Sequence, residues 1–353
     1  MPENNPPTKK ILVVAPAWIG DMIMANTLLQ ILTQQHPETI IDVLAPPTTA
    51  PLISRMSHVR QVILLPATHK ELKLKARYQL AKKLRAEHYE QAIVLPNTIK
   101  SALIPWLARI SQRTGWLGEK RYLLLNDIHH EPKRFPRLVQ RYVALAFAAP
   151  VKNHSEIPLE IFEHLPNPRL TVDLNNQQHL QHTFKLSSTQ PILALCPGAE
   201  YGSAKRWPVE HFAKLAQLTL SMGWQVIILG GPKDVGLGAE INAQARQCCI
   251  DLTGKTSLLD AVDLLASAHA VVSNDSGLMH VAAALQKPLI AIYGSSSPIY
   301  TPPLDKNSKI LYLAIRCSPC FKRECPLVGD DYLRCLLDIT PEKVAHALRD
   351  LLP

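Results

Sequence analysis

Short apolar runs alternate along this chain with longer amphipathic segments, and that alternation constrains the fold more than any other feature. Strands and helices that take turns in this way build a parallel sheet with helices covering its faces. In the first half the pattern predicts strands over 11–15, 40–45, 61–65 and 91–95, several stopped by a proline at 16, 46, 66 or 96. A proline cannot donate to the ladder, so each marks a strand end. Helices are predicted over 21–35, 71–87 and 136–148. The alternation lapses between about 150 and 168, where prolines recur at 150, 158, 166 and 168. This is the expected linker. Strands resume over 191–196, 225–229, 249–252, 270–273 and 289–293, with helices from 208, over 234–246 and 258–267, from 277, and over 341–352. The ring of Pro208 suits a first helical turn. At 353 residues the chain is too long for one ordinary core. The expectation is α/β: two Rossmann-like domains, 1–160 and 170–335, whose parallel sheets face each other across a cleft and bind ligands at their strand carboxyl ends.

Composition narrows the class. Apolar residues make up 47% and charged residues 19%, which fits a packed globular protein. The opening MPENNPPTKK reads as a loose tail. No stretch approaches the roughly 20 apolar residues of a membrane span. The run from Ile11 is broken by Asp21 and lacks the flanks of a signal peptide, so a cytoplasmic location is expected. Residues 1–150 carry 20 Lys/Arg against 10 Asp/Glu, and residues 151–353 carry 18 against 19, so the whole basic excess lies in the first half. Lys70, Lys73, Lys75, Arg77, Lys82, Lys83 and Arg85 are dense enough to form a basic ridge. Such a half either aids solubility or meets an anionic partner: a phosphorylated substrate, a membrane surface or nucleic acid. No aromatic–basic stacking motif appears, so nucleic acid is not expected.

Two loops of the second half bear on chemistry. In VVSNDSGLMHVAAAL (271–285) a β-branched strand runs into a helix. Asp275 or Ser276 can cap that helix, Gly277 lets backbone approach a ligand, and His280 lies one turn in. Free N–H groups at such a helix start favour a phosphate. An ordinary capped helix with a half-buried histidine would look the same. The loop PGAEYGSAKRWP (197–208) leaves the first strand of this half at the same sheet edge, and its Lys205 and Arg206 supply charge for a diphosphate. In the first half Asp21 opens the first helix, as a plain N-cap or as a general base toward a hydroxyl. No G-x-G-x-x-G follows a strand and no Walker-A loop occurs, which disfavours a dinucleotide-dependent dehydrogenase. No Asp-x-Asp pair is present to hold a metal against a diphosphate, so helix termini and Lys205 would have to stabilise one that leaves.

Taken in order, APAWIGDMIMA (15–25), IIDVLAP (40–46), LPNTIKSAL (95–103), RTGWLGEKRYLLLND (113–127), CPGAEYGSAKRWP (196–208), NDSGLMHVAAAL (274–285) and the YGSSSP–YTPPL run (293–304) resemble the bacterial ADP-heptose:lipopolysaccharide heptosyltransferases of glycosyltransferase family 9. LPNTIKS and RTGW point to the type II branch. The resemblance implies a GT-B fold with a final helix, 340–353, packing back on the first domain. It implies an inverting enzyme that moves L-glycero-D-manno-heptose from ADP-heptose to the first heptose of the inner core, on Kdo-lipid A, with no required cofactor. Asp21 is the implied base. Lys205 is the implied phosphate contact, with Asp275, Ser276, Gly277 and His280 in the donor site. Glu200 and Tyr201 match positions lining the donor pocket in type I relatives, where threonines are usual, and Asp234 and Thr256 fall near adenosine-binding positions. Lys100 and Arg113 are candidates for anionic groups of the acceptor. The basic half then suggests peripheral contact with the anionic inner membrane. Alternatives are heptosyltransferase I, another GT-B core transferase, or a non-catalytic membrane-binding protein.

Seven cysteines without a secretion signal read as reduced thiols. Four of them, Cys317, Cys320, Cys325 and Cys335, fall within 19 residues, and a structural zinc is one reading. The spacing lacks a second C-x2-C knuckle, which favours plain thiols.

Overall fold

The computed structural model describes residues 9–66, 72–149 and 157–352. The opening tail up to residue 8, Lys70, the start of the 71–87 helix at Glu71, and residues 150–156 of the linker lie outside the described residues. The chain divides into two compact units, Met1–Pro168 and Arg169–Pro353.

The first unit runs β1 (Lys10–Val14), α1 (Ile19–Gln35), β2 (Ile40–Ala45), α2 (Ala50–Ile53), β3 (Gln61–Leu64), α3 (Leu74–Arg85), β4 (Gln91–Val94), α4 (Ile99–Leu107), β5 (Gln112–Trp116), β6 (Asp127–His129) and α5 (Leu138–Ala144). Its six strands are parallel in the order β3-β2-β1-β4-β5-β6. The central strands are apolar because both faces are covered. Ile11, Leu12, Val13 and Val14 of β1 are buried, as are Ala92, Ile93 and Val94 of β4. The two outer strands β5 and β6 were not expected, because their sequence is polar. A side-chain ladder holds them: Gln91 Nε2 donates to Thr114 Oγ1 at 2.9 Å, and Thr114 Oγ1 donates to Asp127 Oδ2 at 2.7 Å.

The basic ridge is partly internal. Arg77 is buried and donates to the carbonyls of Leu72 and Lys100 at 2.7 and 3.0 Å. Arg85 donates twice to Leu107 O. These arginines fasten α3 to both ends of α4, while Lys73, Lys75, Lys82 and Lys83 are exposed.

The second unit runs α6 (Leu174–Thr183), β7 (Ile192–Cys196), α7 (Val209–Ser221), β8 (Gln225–Ile228), α8 (Val235–Gln244), β9 (Ile250–Asp251), α9 (Leu258–Ser267), β10 (Ala270–Asn274), α10 (Gly277–Ala284), β11 (Leu289–Ile292), β12 (Ser308–Leu311), α11 (Arg334–Leu337) and α12 (Pro341–Leu351). Its parallel order, β12-β11-β10-β7-β8-β9, repeats that of the first sheet when counted from its own first strand. Pro208 is the N-cap of α7 and not part of its first turn. Trp207 anchors the core: it is fully buried, packs edge-on against Phe212 and donates from Nε1 to Ile339 O at 2.7 Å. α12 packs on α7, β11 and β12 of this second unit, and Val344, Ala347 and Leu348 enter its core.

Asp42 on β2 ties the first unit together. It is fully buried and accepts from Arg60 Nε and Gln61 Nε2, each at 2.9 Å, and from Tyr89. Burial alone would raise its carboxyl, but the Arg60, Gln61 and Tyr89 hydrogen bonds outweigh burial and hold it below the ordinary 3.8. A depressed acid stabilises the folded state above the unfolded value, and that stability is lost as pH falls through the folded value. Asp42→Asn should therefore cost about 2 kcal/mol near neutral pH. In urea denaturation the gap from wild type should narrow once pH drops below 3.8, and a gap independent of pH would contradict this account.

Candidate active site

In a sheet of this order the crossovers leave in opposite directions from two adjacent central strands, and the crevice at their carboxyl ends is where ligands bind. In the second unit those strands are β7 and β10. The loop after β7 spans 197–208 and the turn after β10 holds Asp275 and Ser276. Asn274 joins the two: its Nδ2 donates to Pro197 O at 2.7 Å and its Oδ1 accepts from Trp207 N at 3.0 Å, clamping both ends of the loop. Glycines let the loop pass close to its neighbours. A Cβ on Gly198 would meet Asp234 Oδ2 at 2.5 Å, and one on Gly202 would meet Arg323 O at 2.2 Å.

The loop delivers Lys205 to Asp275, and the two form an ion pair. Asp275 is 6% exposed and also accepts from Ser296 Oγ at 2.5 Å. Ser276 caps α10, its Oγ accepting from Met279 N at 3.4 Å, and Gly277 is the first helical residue. The expected grouping of Lys205, Asp275, Ser276 and Gly277 is therefore present in one place. Ser296, which completes it, was quoted only within the YGSSSP run. Tyr201 lies against the same cation, with Lys205 Nζ 5.5 Å from its ring centre, while its hydroxyl donates to Phe321 O at 2.8 Å. Asp234 accepts from Gly231 N at 2.9 Å in the turn after β8. Glu200 makes an exposed ion pair with Lys233, and Thr256 is half-buried between β9 and α9. His280 is buried in α10, and burial, with Asp275 raising and Lys205 lowering, brings its pKa down to about 4. It is a neutral imidazole at physiological pH.

In the first unit the corresponding strands are β1 and β4. Trp18, not Asp21, is the N-cap of α1, which leaves Asp21 in the first turn as a half-buried carboxylate. Tyr142 on α5, buried, donates to Asp21 Oδ2 at 3.5 Å. Lys100 opens α4 beyond β4, at the same sheet edge. Arg113 does not fit its expected part. It donates from Nε to Leu124 O at 2.7 Å and from Nη1 to Ile110 O and Ser111 O, so its guanidinium pins the start of β5.

Cys317, Cys320, Cys325 and Cys335 are free thiols. Among the described residues no three His, Cys, Asp or Glu side chains are placed to hold a metal ion. No helix among the described residues is long and apolar enough to cross a membrane.

Two parallel Rossmann-like units of one topology, one with a cation and a helix start at its switch point and the other with a carboxylate at its first turn, define a glycosyltransferase of the GT-B class. The family model for glycosyltransferase family 9 (heptosyltransferase) matches residues 77–329. The chain is 46% identical to lipooligosaccharide heptosyltransferase 2 of Haemophilus influenzae, covering 97% of this chain and 99% of that one. It is 42% identical to lipopolysaccharide heptosyltransferase 2 of Escherichia coli, covering 97% and 98%. The solved structure of the E. coli ADP-heptose lps heptosyltransferase II superposes with a TM-score of 0.84 at 41% identity, covering 97% and 98%. The chain belongs to glycosyltransferase family 9, the heptosyltransferases.

The depressed His280 pKa predicts that its imidazole resonances do not titrate between pH 8 and 5. A buried neutral histidine withdraws stability as pH falls from the unfolded 6.5 toward about 4. His280→Gln should therefore lose less stability than wild type over that interval, and a midpoint near 6.5 in the folded chain would contradict the assignment.

Proposed function

We propose that this chain is an inverting heptosyltransferase that moves L-glycero-D-manno-heptose from ADP-heptose to the first heptose of the lipopolysaccharide inner core, on Kdo-lipid A. The single observation that carries the donor half is Lys205, held by Asp275 beside the free amides that open α10. The full-length similarity to type 2 enzymes supports the choice of acceptor.

The scheme follows charge. Asp21 takes the proton of an acceptor hydroxyl, whose oxygen attacks the anomeric carbon from the face opposite the diphosphate. The bond to the diphosphate oxygen breaks as the new glycosidic bond forms, and ADP leaves with the electron pair. Negative charge grows on the diphosphate, where Lys205 and the N–H groups near Ser276 and Gly277 bind it more tightly than in the ground state. Neutral His280 supplies a hydrogen bond without adding charge. Tyr201 and Glu200 border the donor, Asp234 and Thr256 lie toward its adenosine, and Lys100 meets an anionic group of the acceptor. Tyr142 orients the Asp21 carboxylate. The scheme requires no resident cofactor. We place the enzyme in the cytoplasm at the inner face of the inner membrane, with the exposed lysines of α3 against anionic lipid.

Asp21→Ala should lower turnover by about 10³-fold or more while ADP still raises the melting temperature; normal turnover would remove Asp21 as the base. Lys205→Ala should lose both turnover and ADP stabilisation. Incubation with ADP-heptose and acceptors bearing zero or one heptose tests the acceptor: product only from the second supports type II, product only from the first a type I enzyme. Binding to anionic vesicles should weaken when salt is raised toward 1 M, where the screening length falls to about 3 Å.

A further inference from the structure

Between β12 and α11 the chain runs from residue 312 to 333 with a single 3-10 turn, Gly329–Asp331, as its only helical structure. No side chain from 312 to 334 is buried. Only Leu313, Ile315 and Leu333, all partly buried, pack it against the core, and irregular stretches of such length are usually stapled or functional. Yet it makes well-defined contacts with the loops that carry the donor site. Phe321 N donates to Ser295 O at 2.7 Å, Ala204 N donates to Arg323 O at 3.0 Å, Tyr201 donates to Phe321 O, and Ser318 Oγ donates to Gly294 O. Gly202 passes against Arg323 with no room for a side chain.

The same segment carries the C-x2-C-x4-C-x9-C group. All four thiols, from Cys317, Cys320, Cys325 and Cys335, line one cavity of about 70 Å³. Ser295 lines it too, and its buried Oγ has no hydrogen-bond partner. The backbone N–H of Leu333 donates to Cys325 Sγ at 3.4 Å. Asp331 and Arg334, which pair with each other at 3.7 Å, also line the wall. A divalent ion at the centre of this cavity would have four thiolates as ligands. The thiols are not drawn together as they stand, so binding requires them to turn toward the cavity centre.

We propose that Cys317, Cys320, Cys325 and Cys335 bind one thiolate-preferring divalent ion of the zinc or ferrous class, and that the ion clips the 317–335 segment under the loop bearing Lys205. Each thiol that ligates releases its proton to solvent. The link to donor binding rests on the proposed donor site; the metal site itself does not.

The test begins with untagged full-length protein purified under reducing conditions, with metal measured by mass spectrometry. About one ion per chain is expected, and its identity separates zinc from iron. Chelator-stripped wild type should take up one cobalt(II) and show the visible bands of tetrahedral thiolate coordination. Cys320→Ser and Cys325→Ser should lose the ion, whereas Cys248→Ser, exposed and outside the group, should keep it. Stripping should weaken ADP binding about ten-fold, as loss of a preorganised loop does, and zinc should restore it. Wild type that arrives metal-free and takes up neither cobalt nor zinc under reducing conditions overturns the site. A stoichiometric ion whose removal leaves ADP affinity unchanged overturns the clip. Absence of ADP binding in both forms instead counts against the donor-site reading.

Discussion

Parallel strands cannot be joined by hairpins, so every connection in these two units crosses a face of the sheet and returns to its starting edge. All the loops that follow strands therefore gather at one edge. The reversal of strand order between β1 and β4, and between β7 and β10, opens that edge at one place in each unit. The chemistry collects there. Asp21 and Lys100 follow β1 and β4, while Lys205 and Asp275 follow β7 and β10. Lys205 and Asp275, 70 positions apart, thus meet with no local sequence signal joining them. Asn274 makes the meeting rigid, since its one amide bonds both ends of the 197–208 loop.

Within the second unit the buried Asp275 carries the electrostatic burden. A carboxylate that is 6% exposed costs several kcal/mol unless it is paired and hydrogen-bonded. Lys205 and Ser296 supply both needs. The pairing also fixes the lysine, whose flexible stem would otherwise have to be ordered when a ligand arrives. On the proposed mechanism the diphosphate becomes a second anion on a cation already in place, so stabilisation in the transition state requires little reorganisation. A charged His280 would upset this balance by placing a second cation in a desolvated pocket. Burial keeps it neutral.

The sheet cores and the loops after β7 and β10 were legible in the sequence because they are local. Apolar runs such as KILVV and ILALC announce central strands, and a strand that runs into Ser-Asn-Asp-Ser-Gly announces a capped helix. Two of the omissions have a different cause. β5 and α6 are held by polar contacts that periodicity does not register. In α6 only Leu180 is buried, and the helix is secured to α9 through Asn176 Nδ2, which donates to Asp260 and Asp263 at 3.0 and 2.8 Å. Ser296 and Tyr142 escaped notice because their partners, Asp275 and Asp21, lie 21 and 121 residues away. The amphipathic face of α12 was evident as well, but the surface that covers it, formed by α7, β11 and β12, is a tertiary choice.

The basic first half shows why a count of charges is a poor guide to a binding surface. Arg77, Arg85, Arg113 and Arg121 all contribute to the excess, yet each guanidinium is taken up by backbone carbonyls. Arg121 is the extreme case. It is 2% exposed and bonds Pro96 O, Thr98 O, Ser101 Oγ, Asn97 Oδ1 and Trp116 O, and burial brings its pKa down only to about 10. It stays charged, so its field persists, but no ligand can touch it. Arginine suits this work because its planar fork reaches several acceptors at once, whereas lysine offers a point charge. The division between fold and surface therefore follows residue type: the arginines of this region bind the loops around β4 and β5, and the lysines of α3 stay exposed.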